Sequence, residues 1–225
     1  MGAPSTNSGL DRQRVGSSGA GIVSGMDKSK WDARYEEGDL LWSAGPNEFL
    51  ADQVATLVPG TVLDLGAGEG RNAIWLAGEG WQATALDFSS VGLRKAALQA
   101  DVRGVEIEFI VDDVTTFDLG TTFDLVLIFY VHLPPAGFEA MLGRARVALS
   151  PGGTILGVGH ALRNLEHGHG GPPDPSILWT EADVRRHLGP LDHIVIEERT
   201  RAVEIPDTDE SATAIDLLFR ATAPI

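Results

Sequence analysis

The residues of this chain best suited to chemistry are acids placed where the main chain bends. Asp64-Leu65-Gly66-Ala67-Gly68-Glu69-Gly70 follows the apolar run Thr61-Val62-Leu63 and leads into the helix-like run Arg71-Asn72-Ala73-Ile74-Trp75-Leu76-Ala77. A strand, a glycine turn and a helix in that order bring bare backbone against a nucleotide-like ligand. The glycines permit positive φ and remove side chains that would block the approach. A dinucleotide needs unopposed N–H groups facing its pyrophosphate. Asp64 and Glu69 would repel that group and attract a cation instead. Asp87 follows the second apolar run about twenty residues later, where a carboxylate accepts both hydroxyls of a ribose; the alternative is a cap on the next helix. Asp112-Asp113 closes a third such run.

These residues resemble the first motif of the class I S-adenosylmethionine-dependent methyltransferases. The wider string Val62-Leu63-Asp64-Leu65-Gly66-Ala67-Gly68-Glu69-Gly70-Arg71-Asn72-Ala73 is similar to the branch that includes the tellurite-resistance and thiopurine methyltransferases. The cofactor implied is S-adenosylmethionine, a cation, with S-adenosylhomocysteine as product. The resemblance implies that Asp64 lies by the methionine part of the donor and that Gly66, Ala67 and Gly68 let the backbone close on it. Asp87 and Phe88 then belong to the ribose end. Asp112 or Asp113 accepts from the adenine amino group, with Val114 beside it. Phe129, at the end of the fourth strand, borders the methionine portion. An N-terminal segment folds over the donor as a lid, here residues 26–50 with Trp31, Tyr35 and Trp42. Aromatics there cover a sulfonium by cation–π attraction or simply pack on the core.

On the acceptor side, His132 is a candidate general base, since imidazole titrates near neutrality; the alternative is a histidine bonded within its loop. A thiolate or other soft anion would need no base, only positioning and exclusion of water. Arg71 can reach a carboxylate of donor or acceptor, or pair with Glu69. The segment from His160 to Leu178 is expected to be a mobile substrate loop, with Arg163, His167 and His169 able to touch an acceptor. Its three histidines sit on a glycine-rich stretch without a helix to fix them, so no metal is expected.

The elements that must position these groups follow from punctuation and period. A helix is expected from Pro46 to Leu57, stopped by Pro59-Gly60. Strands are expected at 61–65, 81–86, 105–111, 123–130 and 154–158, with helices at 72–78, from Ser89 or Ser90 to about 100, 136–149 and 181–188. Strands at 193–203 and 214–221 flank the acidic turn Pro206-Asp207-Thr208-Asp209-Glu210. Strands alternating with helices, then a late hairpin, predict an α/β doubly wound sheet. The resemblance makes it seven-stranded, mostly parallel, Rossmann-like, with one antiparallel strand near its edge.

The 225 residues suffice for one sizeable core, expected at 26–225. A formal charge of -15 opposes unaided contact with nucleic acid and favours a small-molecule acceptor. The absence of cysteine excludes disulfides and thiolate chemistry and fits a reducing cytoplasm. No stretch approaches the roughly 20 apolar residues of a membrane span. Residues 1–25, rich in Gly and Ser, are expected to be a disordered extension. Met26 is a candidate natural start, and Met1-Gly2-Ala3-Pro4-Ser5-Thr6 fits the letters of an N-myristoylation signal. Oligomeric state is not legible. The competing functions are a nicotinamide-dependent oxidoreductase, a nucleic-acid methyltransferase and a noncatalytic S-adenosylmethionine-binding protein. Arg71 stands where a dinucleotide turn would have its third glycine.

Overall fold

The computed structural model describes residues 28–37, 40, 45–205, 208 and 210–225. The expectations for residues 1–25, for Trp42 and for most of the acidic turn at 206–210 lie outside the described residues. The chain order is α1 (Lys28–Glu36), α2 (Leu50–Val54), β1 (Thr61–Leu65), α3 (Arg71–Gly78), β2 (Gln82–Asp87), α4 (Ser90–Arg103), β3 (Ile107–Val111), β4 (Phe123–Phe129), α5 (Pro135–Val147), β5 (Leu149–His160), α6 (Asn164–His167), a 3₁₀ turn (Pro175–Ile177), α7 (Glu181–Leu188), β6 (Asp192–Glu204) and β7 (Ser211–Thr222). The seven strands form one sheet in the order β3-β2-β1-β4-β5-β7-β6. β7 runs antiparallel to both of its neighbours, and the other pairings are parallel. The doubly wound α/β architecture expected from the sequence is therefore present. Strand order reverses at β1 and β4, which places the ligand crevice beyond their carboxyl ends.

Successive strand residues face opposite sides of the sheet, and the core divides accordingly. Leu63, Leu65, Val126 and Ile128 pack with Phe138, Met141 and Leu142 of α5 and Val184 and Leu188 of α7. Val62, Leu125, Leu127 and Phe129 pack with Leu50, Leu76 and Leu93 from α2, α3 and α4. β1 and β4 are apolar on both faces for this reason.

Helix α1, the 3₁₀ turn and α6, which puts His167 on a helical turn where no helix was expected, are additions to the expected elements, and two expected elements differ in extent. The first expected helix is only the short α2, because the Asn47 side chain accepts from Phe49 N at 3.1 Å while Asn47 N donates to Asn72 Oδ1 at 2.9 Å. These bonds commit the preceding residues to a turn. β5 begins at Leu149 rather than Thr154. Pro151-Gly152-Gly153 is an irregularity inside the strand, where Phe123 pairs with Leu149 before the register shifts. Gly152 has φ +76°, and a Cβ on Gly153 would lie 2.9 Å from Phe123 O. A bulge that admits only glycine looks, in sequence, like a preceding turn.

Candidate functional site

β1 delivers Asp64 to the crevice with the side chain 2% exposed. The turn beyond it has Gly66, Gly68 and Gly70 at φ +70°, +56° and +76°, a conformation side chains disfavour. Gly66 N and Ala67 N donate to Leu86 O at 2.8 and 3.1 Å, tying the turn to β2. Asp87, at the end of β2, accepts from Gly68 N and Ser89 N, each at 2.8 Å. Each of its oxygens keeps a further lone pair for a ligand. The helix cap is Ser89, whose Oγ accepts from Gly92 N at 3.1 Å. Burial pushes the Asp64 carboxyl up to about 7, against the Ala73 N–H and the Arg71 charge, with Asp87 adding repulsion. Burial likewise raises Asp87 to about 6, against its two backbone donors. Two carboxyls held above their ordinary range beside bare backbone fit a cationic ligand, whose charge would favour their ionised forms. Glu69 is also buried and pairs with Lys95 Nζ at 3.3 Å.

At the end of β3 the two acids separate in role. Asp113 Oδ1 accepts from Thr115 N at 2.8 Å and Thr115 Oγ1 at 2.7 Å, shaping the next turn. Asp112 Oδ1 accepts from Asp113 N at 2.7 Å, and Asp112 N donates to Asp87 O. Asp112 therefore sits beside Asp87, while the neighbouring Val114 is buried and Phe88 half-buried. Above the turn lies α1. Tyr35 is buried, and a Cβ on Gly68 would come 2.5 Å from its hydroxyl. Asp32 accepts from Ser89 Oγ at 2.5 Å, latching α1 to the start of α4. Trp31 packs beside Tyr35 with ring centroids 5.6 Å apart and carries Arg34 over its outer face.

The segment after β4 packs on the same turn, since a Cβ on Gly66 would lie 2.5 Å from Val131 Cγ2. Tyr130, at φ +56°, donates from its hydroxyl to Asp216 Oδ2 at 2.7 Å. Arg201 Nε donates to the same oxygen at 2.7 Å and to the Tyr130 hydroxyl at 3.1 Å. Asp216 is 0% exposed; His160 Nδ1 stands 3.0 Å from its Oδ1, close but poorly aligned for a hydrogen bond. Burial raises Asp216, yet donors from His160, Tyr130 and Arg201 outweigh it and hold the carboxylate below its usual range. Arg71 links Asp64 to this cluster. Burial lowers its pKa, Tyr130 and Asp64 oppose that, and Arg201 adds repulsion.

Three expectations on the acceptor side are corrected. His132 is not placed as a base. Its Nδ1 lies 3.0 Å from Ile177 O, its Nε2 accepts from His160 N at 3.3 Å, and burial pushes its pKa down to about 4. The 161–180 loop is pinned rather than loose. Asn164 Nδ2 donates to Gly170 O at 2.8 Å, Asn164 Oδ1 accepts from Ile215 N at 2.7 Å, and Trp179 N donates to His160 O. Arg163, His167 and His169 face solvent outside the cluster, with Arg163 paired to Glu198 at 2.6 Å. Their places near the crevice are taken by His160, Arg201 and Asp216, which the sequence reading did not select. The available signal was Asp216 itself, an acid breaking the apolar run Ala214-Ile215-Asp216-Leu217-Leu218-Phe219. A separate groove of about 360 Å³, lined by Leu57, Gly60, Trp81, Asp124 and Gly152, lies at the opposite, amino ends of the strands.

Residues 62–153 match the family model of the methyltransferase domain. The ubiquinone biosynthesis O-methyltransferase of Paramagnetospirillum magneticum is 34% identical over 99 residues, which cover 43% of this chain and 39% of that protein. The match thus spans well under half of the curated relative. Among solved structures, one from work on conversion of a disulfide bond into a thioacetal group during echinomycin biosynthesis superposes with TM-score 0.71 at 24% identity, covering 88% of this chain and 91% of the other. The N-methyltransferase NodS from Bradyrhizobium japonicum, in complex with S-adenosyl-L-homocysteine, gives 0.63 at 16% identity, with coverage of 88% and 99%. At these identities the structural likeness is one of fold. Residues 62–153 are thus similar to a methyltransferase domain, and the fold is one found in solved methyltransferases.

Proposed function

We propose that this chain transfers the S-methyl group of S-adenosylmethionine to a small-molecule acceptor. The observation that carries the proposal is the pair of buried carboxyls, Asp64 and Asp87, bracketing a glycine turn in the crevice where strand order reverses. In this reading Asp64 attracts the ammonium end, Asp87 takes the ribose hydroxyls and Asp112 takes the adenine amino group. Gly66, Ala67 and Gly68 admit the backbone to contact. Tyr35 and Trp31 on α1 cover the donor as part of a lid at 26–50 on a single domain at 26–225. Phe129 and Arg71 border the methionine end. The group supplies an electrophilic methyl when bound; the chain's part is to hold it in line with the acceptor and to exclude water.

The net charge of -15 supports a small molecule over nucleic acid. The string Val62–Ala73 supports the tellurite-resistance and thiopurine branch, and with it a thiol or other soft acceptor. Among the described residues no helix is long and apolar enough to cross a membrane; we propose the cytoplasm as the compartment. Calorimetry of the full chain with S-adenosylhomocysteine and with NAD tests the donor. Release of S-adenosylhomocysteine across thiol, phenol, amine and carboxylate acceptors tests the transfer. Binding of NAD in preference to S-adenosylhomocysteine would reverse the assignment.

A further inference from the structure

We infer that His160, held beside the Asp216 carboxylate, is the general base of this site, and that the acceptor therefore presents a weakly acidic hydroxyl in place of the soft nucleophile suggested by the Val62–Ala73 string. The inference rests on the methyl-transfer reading and names its acceptor chemistry. His160 is the last residue of β5, paired in register with Asp216 of β7. β5 neighbours β4, β4 neighbours β1, and the Tyr130-Val131-His132 segment rests on the donor turn at Gly66. The imidazole thus stands at the same end of the sheet as the donor acids.

Four groups from three other elements face it. Asp216 turns Oδ1 to Nδ1 at 3.0 Å. Tyr130 and Arg201 both donate to the other carboxylate oxygen, which locks the acid in place and keeps it anionic. His132 stacks on the ring with centroids 5.3 Å apart and an interplanar angle of 14°, and its Nε2 holds the His160 N–H. The anionic oxygen 3.0 Å from Nδ1, although not aligned as a hydrogen bond, favours by its charge the tautomer with its proton there and its lone pair on Nε2. Nε2 has no hydrogen-bond partner among the described residues. Arg201 alone would explain a buried Asp216 as a structural ion pair; it does not explain an imidazole on the second oxygen.

In the step, an acceptor oxygen forms a bond to the methyl carbon as the carbon–sulfur bond breaks. That bond's electron pair stays on sulfur, giving the neutral thioether. The hydroxyl proton passes to Nε2, and the resulting imidazolium is stabilised by Asp216 until the proton leaves to solvent. A thiolate would bring no such proton, and an arrangement of this kind would have nothing to accept.

The test uses the full chain. Diethyl pyrocarbonate acylates unprotonated imidazole nitrogens, and peptide mass spectrometry resolves the sites. His160 is expected to react at least about tenfold faster than His132, whose nitrogens are engaged, and Asp216→Asn is expected to change the His160 rate. Equal or slower reaction of His160 in the wild-type chain overturns the inference even if the Asp216 variant misfolds. In parallel, S-adenosylhomocysteine release is followed with catechol and with 4-nitrothiophenol. His160→Gln should lower kcat for catechol by ~10²–10⁴-fold and leave S-adenosylhomocysteine affinity unchanged. Equal losses for the two acceptors, or transfer by the wild type to the thiol alone, overturn the inference while sparing methyl transfer. Failure of the wild type to bind S-adenosylhomocysteine removes both readings together.

Discussion

Asp87, proposed to take the ribose hydroxyls, already serves the fold. It already holds Gly68 N and Ser89 N, so Asp87→Ala should reduce donor affinity by about 1–3 kcal/mol, read by calorimetry with S-adenosylhomocysteine. His132 shows the reverse case, a residue type suited to catalysis used for support. His132→Ala leaves Ile177 O and His160 N without their partner, and should destabilise the fold by about 1–3 kcal/mol in urea unfolding. Its pH signature is signed. Burial lowers the folded pKa to about 4, so the unfolded chain binds the proton first as pH falls. Stability from this group is present above the unfolded value near 6.5 and is lost as pH drops toward 4. The loss over that window should be smaller in His132→Gln.

Two elements decide what the crevice can admit. α1 lies on the glycine turn through Tyr35, and Gly68 has no room for a Cβ and no comfortable φ for one. Gly68→Ala should shift α1, increase hydrogen exchange across 28–36 and weaken donor binding; adding Tyr35→Ala should relieve the crowding but not the backbone strain. The 161–180 loop depends on Asn164, which bonds Gly170 O and Ile215 N from one amide. Asn164→Leu keeps the bulk and removes both bonds. It should cost about 1–3 kcal/mol and raise exchange in residues 163–179, whereas a loop that was already loose would show no change. Glycine-rich composition made this loop appear mobile in the sequence. The pins that hold it come from one side chain and from strand β7, some fifty residues away.

For the whole molecule, the linked titration of the crevice acids sets the pH dependence. Asp64 and Asp87 titrate near 7 and 6 in the fold. Their ionised forms attract a cationic donor and their protonated forms do not, so S-adenosylmethionine affinity should rise from about pH 5 to about pH 8 and then level. A flat profile in calorimetry would contradict the cation-attracting role of these acids. The proposed donor half of the crevice was legible in the chain because each of its parts is local: a strand, a glycine turn, an acid at the strand end. Periodicity and punctuation likewise determined the α/β order of elements, since burial on two faces requires apolar runs and tight turns require glycine. Tertiary structure alone decided the proposed acceptor half. His160, Tyr130, Arg201 and Asp216 come from four separate segments of the chain, and only the β4-β5-β7-β6 order of the sheet brings them together. A charge pair made across strands leaves no spacing to read along the chain, because the distance that matters is set by sheet pairing.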